Sequence, residues 1–75
     1  MFELIIKEEN IAILDNVNSV DIAKGKQFIK NRLKQLYNYR CRKDNIAVIE
    51  NNDGTFKLRV LFQDNNKILR MLGRI

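Results

Sequence analysis

Residues 45–63, NIAVIENNDGTFKLRVLFQ, decide the fold. Two apolar runs flank Asn51-Asn52-Asp53-Gly54, and Asp-Gly between such runs is a strong hairpin signal because the turn needs residues that accept positive φ. In the second run Phe56, Leu58, Val60 and Phe62 fall on one side of an extended chain, with Lys57, Arg59 and Gln63 on the other. The first run alternates Ile46 and Val48 against Ala47 and Ile49. Asp64-Asn65-Asn66 reads as a further turn and Lys67 to Leu72 as a third strand. The segment is therefore expected to be a three-stranded antiparallel β-meander, with strands at about 45–50, 55–63 and 67–72.

Upstream the period changes. From Val20 to Tyr39, Ile22, Ile29, Leu33 and Leu36 fall within about 60° of one another at 100° per residue, and Tyr37 lies beside them. This predicts an amphipathic helix at about 19–40, with Asn18 or Ser19 as N-cap and Asp21 near the positive helix end. No proline interrupts it, and Gly25 weakens it by about 1 kcal/mol relative to alanine. Residues 2–7 and 10–15 are rich in Ile and Leu and are separated by Glu8-Glu9-Asn10, which reads as a hairpin. The expected class is α+β: an N-terminal β-hairpin, one amphipathic basic α-helix and the C-terminal meander, in two layers. Whether the first hairpin joins the meander's sheet is left open by the sequence.

Seventy-five residues make one small domain, 1–75. A chain this short buries only roughly 60% of the surface its unfolded form exposes. Such scaffolds lean on disulfides, metal or association for stability. Cys41 is the only cysteine and there is no histidine, so an intrachain disulfide and a structural zinc site are both excluded. Close packing or a homodimer is then the expected route to stability. A single cysteine fits a reducing compartment. Residues 1–6 are apolar but short and carry Glu3, unlike a signal peptide. No apolar run approaches the length of a membrane span, so no membrane partner is expected. Ile, Asn and Lys number 10, 10 and 8, together 28 of 75 residues, and all have AT-rich codons. The expected origin is a low-GC bacterium, its mobile elements or phages, or an AT-rich virus. The expected location is the cytoplasm, or the host cytoplasm for a phage or viral product.

Charge is concentrated in one block. Residues 1–22 hold one Lys and five acids, residues 23–43 eight cations and no acid, and residues 44–75 five cations and four acids. The three blocks, −4, +8 and +1, sum to the net charge of +5. An exposed helix normally mixes signs for i, i+4 pairing, whereas a solvated face without acids accumulates unrelieved repulsion. Lys24, Lys30, Lys34 and Arg42 lie opposite the apolar stripe with Gln27, Asn31 and Gln35, while Phe28, Arg32 and Tyr39 run along one flank. Cations suit phosphate, amides can bond bases or sugars, and aromatics can stack on unpaired bases. The ordinary alternative is a solvated helix face built from good helix formers.

The pattern excludes most catalysis. There is no His for acid–base work, no paired nucleophile, and the three glycines form no phosphate-cradling loop. Catalytic residues, cofactor and metal are all expected to be absent. Cys41, between Arg40 and Arg42, reads either as a thiolate-prone cysteine or as a small apolar residue at the helix end. The expected function is a non-enzymatic module binding DNA or RNA through Lys24, Lys30, Asn31, Arg32, Lys34, Tyr39, Arg40, Arg42 and Lys43, with Arg59 and Arg70 as a secondary surface. The alternative is a phage- or virus-type inhibitor or adaptor that meets an acidic protein surface through the same helix or an open strand edge.

Overall fold

A computed structural model describes residues 2–73. The chain runs β1 (Leu4–Lys7), β2 (Ile11–Val17), a 3-10 turn (Ser19–Asp21), α1 (Ile22–Tyr37), a second 3-10 turn (Lys43–Asn45), β3 (Ala47–Glu50), β4 (Phe56–Leu61) and α2 (Asn65–Leu72). The α+β class is as expected: two hairpins and one main helix. The two hairpins share a single antiparallel sheet in the order β1-β2-β4-β3. The central pairing opposes Ala12 to Val60 and Leu14 to Leu58, so the N-terminal hairpin joins the C-terminal one.

Residues directly opposed across strands share a face. The row Leu4, Leu14, Leu58 and Val48 faces α1, as does the row Ile6, Ala12 and Val60. Ile29 and Leu33 of α1 are wholly buried against these rows, and Val17 and Phe62 close the cluster. Gly25 lets the helix approach closely: a methyl there would stand 2.8 Å from Leu58 Cδ1 and 3.2 Å from Leu14 Cδ2. The second pair of rows, Ile5-Ile13-Arg59-Ala47 and Lys7-Ile11-Leu61, faces away from α1.

Two expectations about helices are corrected. The segment 67–72 is not a third meander strand but part of α2. Asp64 Oδ1 accepts the Lys67 N–H at 3.1 Å as an N-cap. Ile68, Leu69, Met71 and Leu72 then follow at i, i+1, i+3 and i+4, a helical rather than an alternating spacing. The Asn65 and Asn66 amides reach back to donate to the carbonyls of Asn38 (3.0 Å) and Leu36 (3.1 Å), meeting acceptors that the end of α1 leaves unpaired.

The main helix is also shorter than 19–40. Its entry is the 3-10 turn closed by Asp21 N–H to the Asn18 carbonyl at 2.9 Å, and neither Asn18 nor Asp21 caps with its side chain. Its exit is Asn38 in the left-handed region, φ 55°. There the Asn38 and Tyr39 N–H groups return to the Lys34 and Leu33 carbonyls. Leu36, expected in the core stripe, is 47% exposed. It stands beside Leu69 at the foot of α2.

Turn chemistry accounts for the hairpins. Gly54 takes φ 85°, while Asp53 Oδ1 accepts from the Thr55 N–H (3.0 Å) and hydroxyl (2.6 Å). The β1–β2 turn places both Glu8 (φ 55°) and Glu9 (φ 66°) in the left-handed region, with Asn10 N–H donating to the Lys7 carbonyl at 3.2 Å. Positive φ at both central residues of the Lys7–Asn10 turn gives the twist that suits a hairpin, and Asn10 is the extra residue before Ile11, which pairs with Lys7. A bulge at Asp15-Asn16 shifts the β2–β4 register between Leu14 and Val17. It is pinned by Asp15 Oδ1, which accepts from the Asn16 N–H (2.8 Å) and the Asn51 amide (2.9 Å).

Candidate nucleic-acid interface

The left-handed turn at Asn38 shapes the candidate site. It ends α1 and sends residues 39–42 back along the helix's outer flank, leaving a groove of roughly 290 Å³ lined by Gln27, Lys30, Asn31, Lys34, Arg40 and Cys41. Four expected residues, Lys30, Asn31, Lys34 and Arg40, are thus brought together from two segments. Lys30 is half-buried, while Lys34 and Arg40 are exposed. Lys34 Nζ donates to Asn38 Oδ1 at 2.7 Å, so the residue that turns the chain also holds this ammonium in place. The Gln27 amide donates to Asn31 Oδ1 at 2.9 Å, which leaves the Asn31 Nδ2 donors directed to other acceptors.

Other expected residues stand apart. Arg42 and Lys43 are exposed and continue the chain from the groove rim. Lys24 is exposed in the first turn of α1, about 9 Å along the axis from Lys30. Arg32 lies on the opposite flank, its guanidinium 5.6 Å from the Phe28 ring centroid, and Phe28 packs on Phe2 at 5.5 Å. Tyr39, expected as an exposed contact, is half-buried with its ring 6.3 Å edge-on from Phe62. It serves the core boundary because the chain reversal at Asn38 turns it inward. Arg59 is on the outward sheet face, and Arg70 is on α2 with its Nε donating to the Asn66 carbonyl at 3.4 Å. These two do not form one secondary surface.

Electrostatically the groove is unopposed. Among the described residues the only ion pair is Lys67 with Glu9, 3.7 Å apart, and it includes no residue of the basic block. Asp15 is engaged by Asn16 and Asn51 at the bulge of β2. Cys41 forms part of the groove floor and is 5% exposed. Burial pushes its thiol above the ordinary range, with the Lys30 charge acting in the opposite direction. Its Sγ–H points to the Arg42 carbonyl at 3.4 Å, and the residue belongs to the core cluster. A structural role fits this environment.

A second recess, of about 550 Å³, lies between the β1–β2 turn and α2. Glu8, Glu9 and Asp64 line it against the one cation Lys67, so its net negative charge disfavours phosphate. Among the described residues no group of three or more His, Cys, Asp or Glu is placed to hold a metal ion. No helix among them is long and apolar enough to cross a membrane. Compared with protein-family models, curated proteins and solved structures, the chain matches none.

Proposed function

We propose that the protein is a small non-enzymatic nucleic-acid-binding module of the cytoplasm, or of a host's cytoplasm, whose groove between α1 and residues 39–42 seats a phosphate backbone. The observation that carries this reading is the absence, among the described residues, of any acid paired with the eight cations of residues 24–43. An evolved solvated face relieves such repulsion with i, i+4 partners; a phosphate-binding face keeps its cations free. Lys30, Lys34 and Arg40 contact phosphates, Arg42 and Lys43 extend the track, and the Asn31 amide donates to a sugar or base edge.

Five such contacts imply that log K falls with log salt at a slope of about −4.5, a roughly 500-fold loss for a fourfold rise in salt. Fluorescence anisotropy with single- and double-stranded DNA and RNA, at ~50 and ~200 mM salt, tests this. Micromolar or tighter binding at the lower salt, lost by two or more decades at the higher, supports the reading. No binding at the lower salt overturns it.

A further inference from the structure

The sheet has two apolar faces and only one cover. Away from α1, Ile5, Ile13 and Ala47 share a row with Arg59, Ile11 and Leu61 share the next with Lys7, and Ile49 opposes Lys57. Leu61 is 66% exposed and Ile5 41%. An antiparallel sheet with one solvated face alternates apolar and polar residues. Here Leu4-Ile5-Ile6, Ile11-Ala12-Ile13-Leu14 and Ala47-Val48-Ile49 are unbroken apolar runs, the pattern of strands buried on both sides. The second face is composed for a covering element that the described residues do not supply.

The charges on that face select the occupant. Lys7, Lys57 and Arg59 stand among the aliphatic side chains, with Glu3 beside Ile5 at the edge, and Arg59 sits mid-row between Ile13 and Ala47 with no carboxylate partner among the described residues. Asp15 is near Lys57 at the bulged end, but its Oδ1 is engaged by Asn16 and Asn51. A second copy packed face to face would bury six like charges against one another, at high cost. The chain's own exposed amphipathic helix, α2, carries Lys67 and Arg70 and no acid, so it fits no better. Nucleic acid matches the cations but finds no aromatic platform at the aliphatic centre.

We propose that this face docks an amphipathic helix of a partner protein whose apolar stripe is flanked by Glu or Asp. Four strands span three gaps of about 4.8 Å, roughly 14 Å in all, and a helix is about 10 Å wide, so one helix covers the face as α1 covers the other. Aliphatic side chains of the partner bury Ile5, Ile49 and Leu61 around Ile13, which its neighbours already leave only 8% exposed. Its carboxylates pair with Arg59, Lys57 and Lys7 in a partly desolvated setting. The assembly becomes three layers, helix, sheet and helix. This inference goes beyond the proposed nucleic-acid reading and uses the opposite side of the molecule.

A displayed library of helical peptides about 18 residues long, with leucines at i, i+3, i+4 and i+7 and flanks randomised among Glu, Lys and Gln, is panned against the full chain. The expected result is enrichment of Glu at the flanks. The best acidic peptide then loses at least tenfold in affinity to Arg59→Glu and to Leu61→Asp, and its Lys-flanked version prefers Arg59→Glu to the parent. Both positions are exposed, and circular dichroism checks that each variant folds. Binding to Lys30/Lys34/Arg40→Glu stays unchanged, which separates this test from the groove's. Absence of Glu enrichment overturns the proposal, as does an affinity for both face variants equal to that for the parent. So does a parent dimer abolished by Leu61→Asp, or polynucleotide binding abolished by Arg59→Glu.

Discussion

Gly25 lies against Leu58 so closely that a methyl group on Gly25 would come within 2.8 Å of Leu58 Cδ1. Leu58 is wholly buried in the central strand, so its side chain has little space to yield. Alanine gains about 1 kcal/mol of helix propensity over glycine, but overpacking a close-fitted core costs about 1–3 kcal/mol. Gly25→Ala is therefore expected to be neutral at best and destabilising by up to about 2 kcal/mol, with about 1 kcal/mol as the central value. Urea denaturation checks this, and an increase in stability would show that α1 can move away from the sheet freely.

The β1–β2 turn offers the opposite sign. Glu8 and Glu9 both occupy the left-handed region, which costs a non-glycine residue about 1 kcal/mol or more. Asn-Gly is the preferred pair for such a turn. Replacing Glu8→Asn and Glu9→Gly is expected to stabilise the fold by about 1 kcal/mol, a rise of about 4–8 °C in Tm for a domain of this size. The Glu9–Lys67 pair lost in the exchange is exposed at both ends, and such pairs are worth about 0–1 kcal/mol. A lower Tm would mean that the glutamates do more than close the turn.

Acid should loosen the bulge and the β3–β4 turn together. The Asn16 N–H, followed by the Asn51 amide, holds the Asp15 carboxyl below its ordinary 3.8. The Thr55 hydroxyl, followed by the Thr55 N–H, does the same for Asp53. Because both groups bind protons less readily folded than unfolded, their contribution is present above pH 3.8 and fades as pH falls below it. Urea midpoints measured from about pH 5 downward should fall less steeply for Asp15→Asn/Asp53→Asn than for the parent. Parallel curves would contradict this account.

Cys41 should be inert in the folded protein. Burial raises its thiol pKa, so little thiolate exists near neutral pH despite the flanking arginines and nearby Lys30. Reaction with a disulfide reagent is expected to be at least about a hundredfold slower than in denaturant. A native rate close to the unfolded one would place the thiol on the surface.

The parts of the fold legible in the sequence are those set by local chemistry. Asp53-Gly54 with period two at Phe56–Phe62 marks the second hairpin, and the 3.6 period through Ile29 and Leu33 marks α1. The pairing of β2 with β4 is a long-range choice with no local marker, so it emerges only from the fold. The α2 helix had a readable signal in Asp64 three residues before Lys67 and in the spacing of Ile68, Leu69, Met71 and Leu72, but the preceding strands made a third strand the natural continuation. The basic block was plain, but its grouping was not. Which of its members share a groove depends on Asn38 accepting a positive φ, and the same reversal turns Tyr39 inward. The unbroken apolar runs of β1 and β2 were equally visible, and their meaning required the register.

Phosphate binding by cations of the α1 groove is tested first by the salt slope of polynucleotide binding for the parent and for Lys30/Lys34/Arg40→Glu. Each lost phosphate contact removes about 0.9 from the slope, so three lost contacts take it from about −4.5 to about −1.8, alongside a large loss of affinity. That change would locate the contacts in the groove. An unchanged slope and affinity in the variant would contradict the account and assign any binding to other cations.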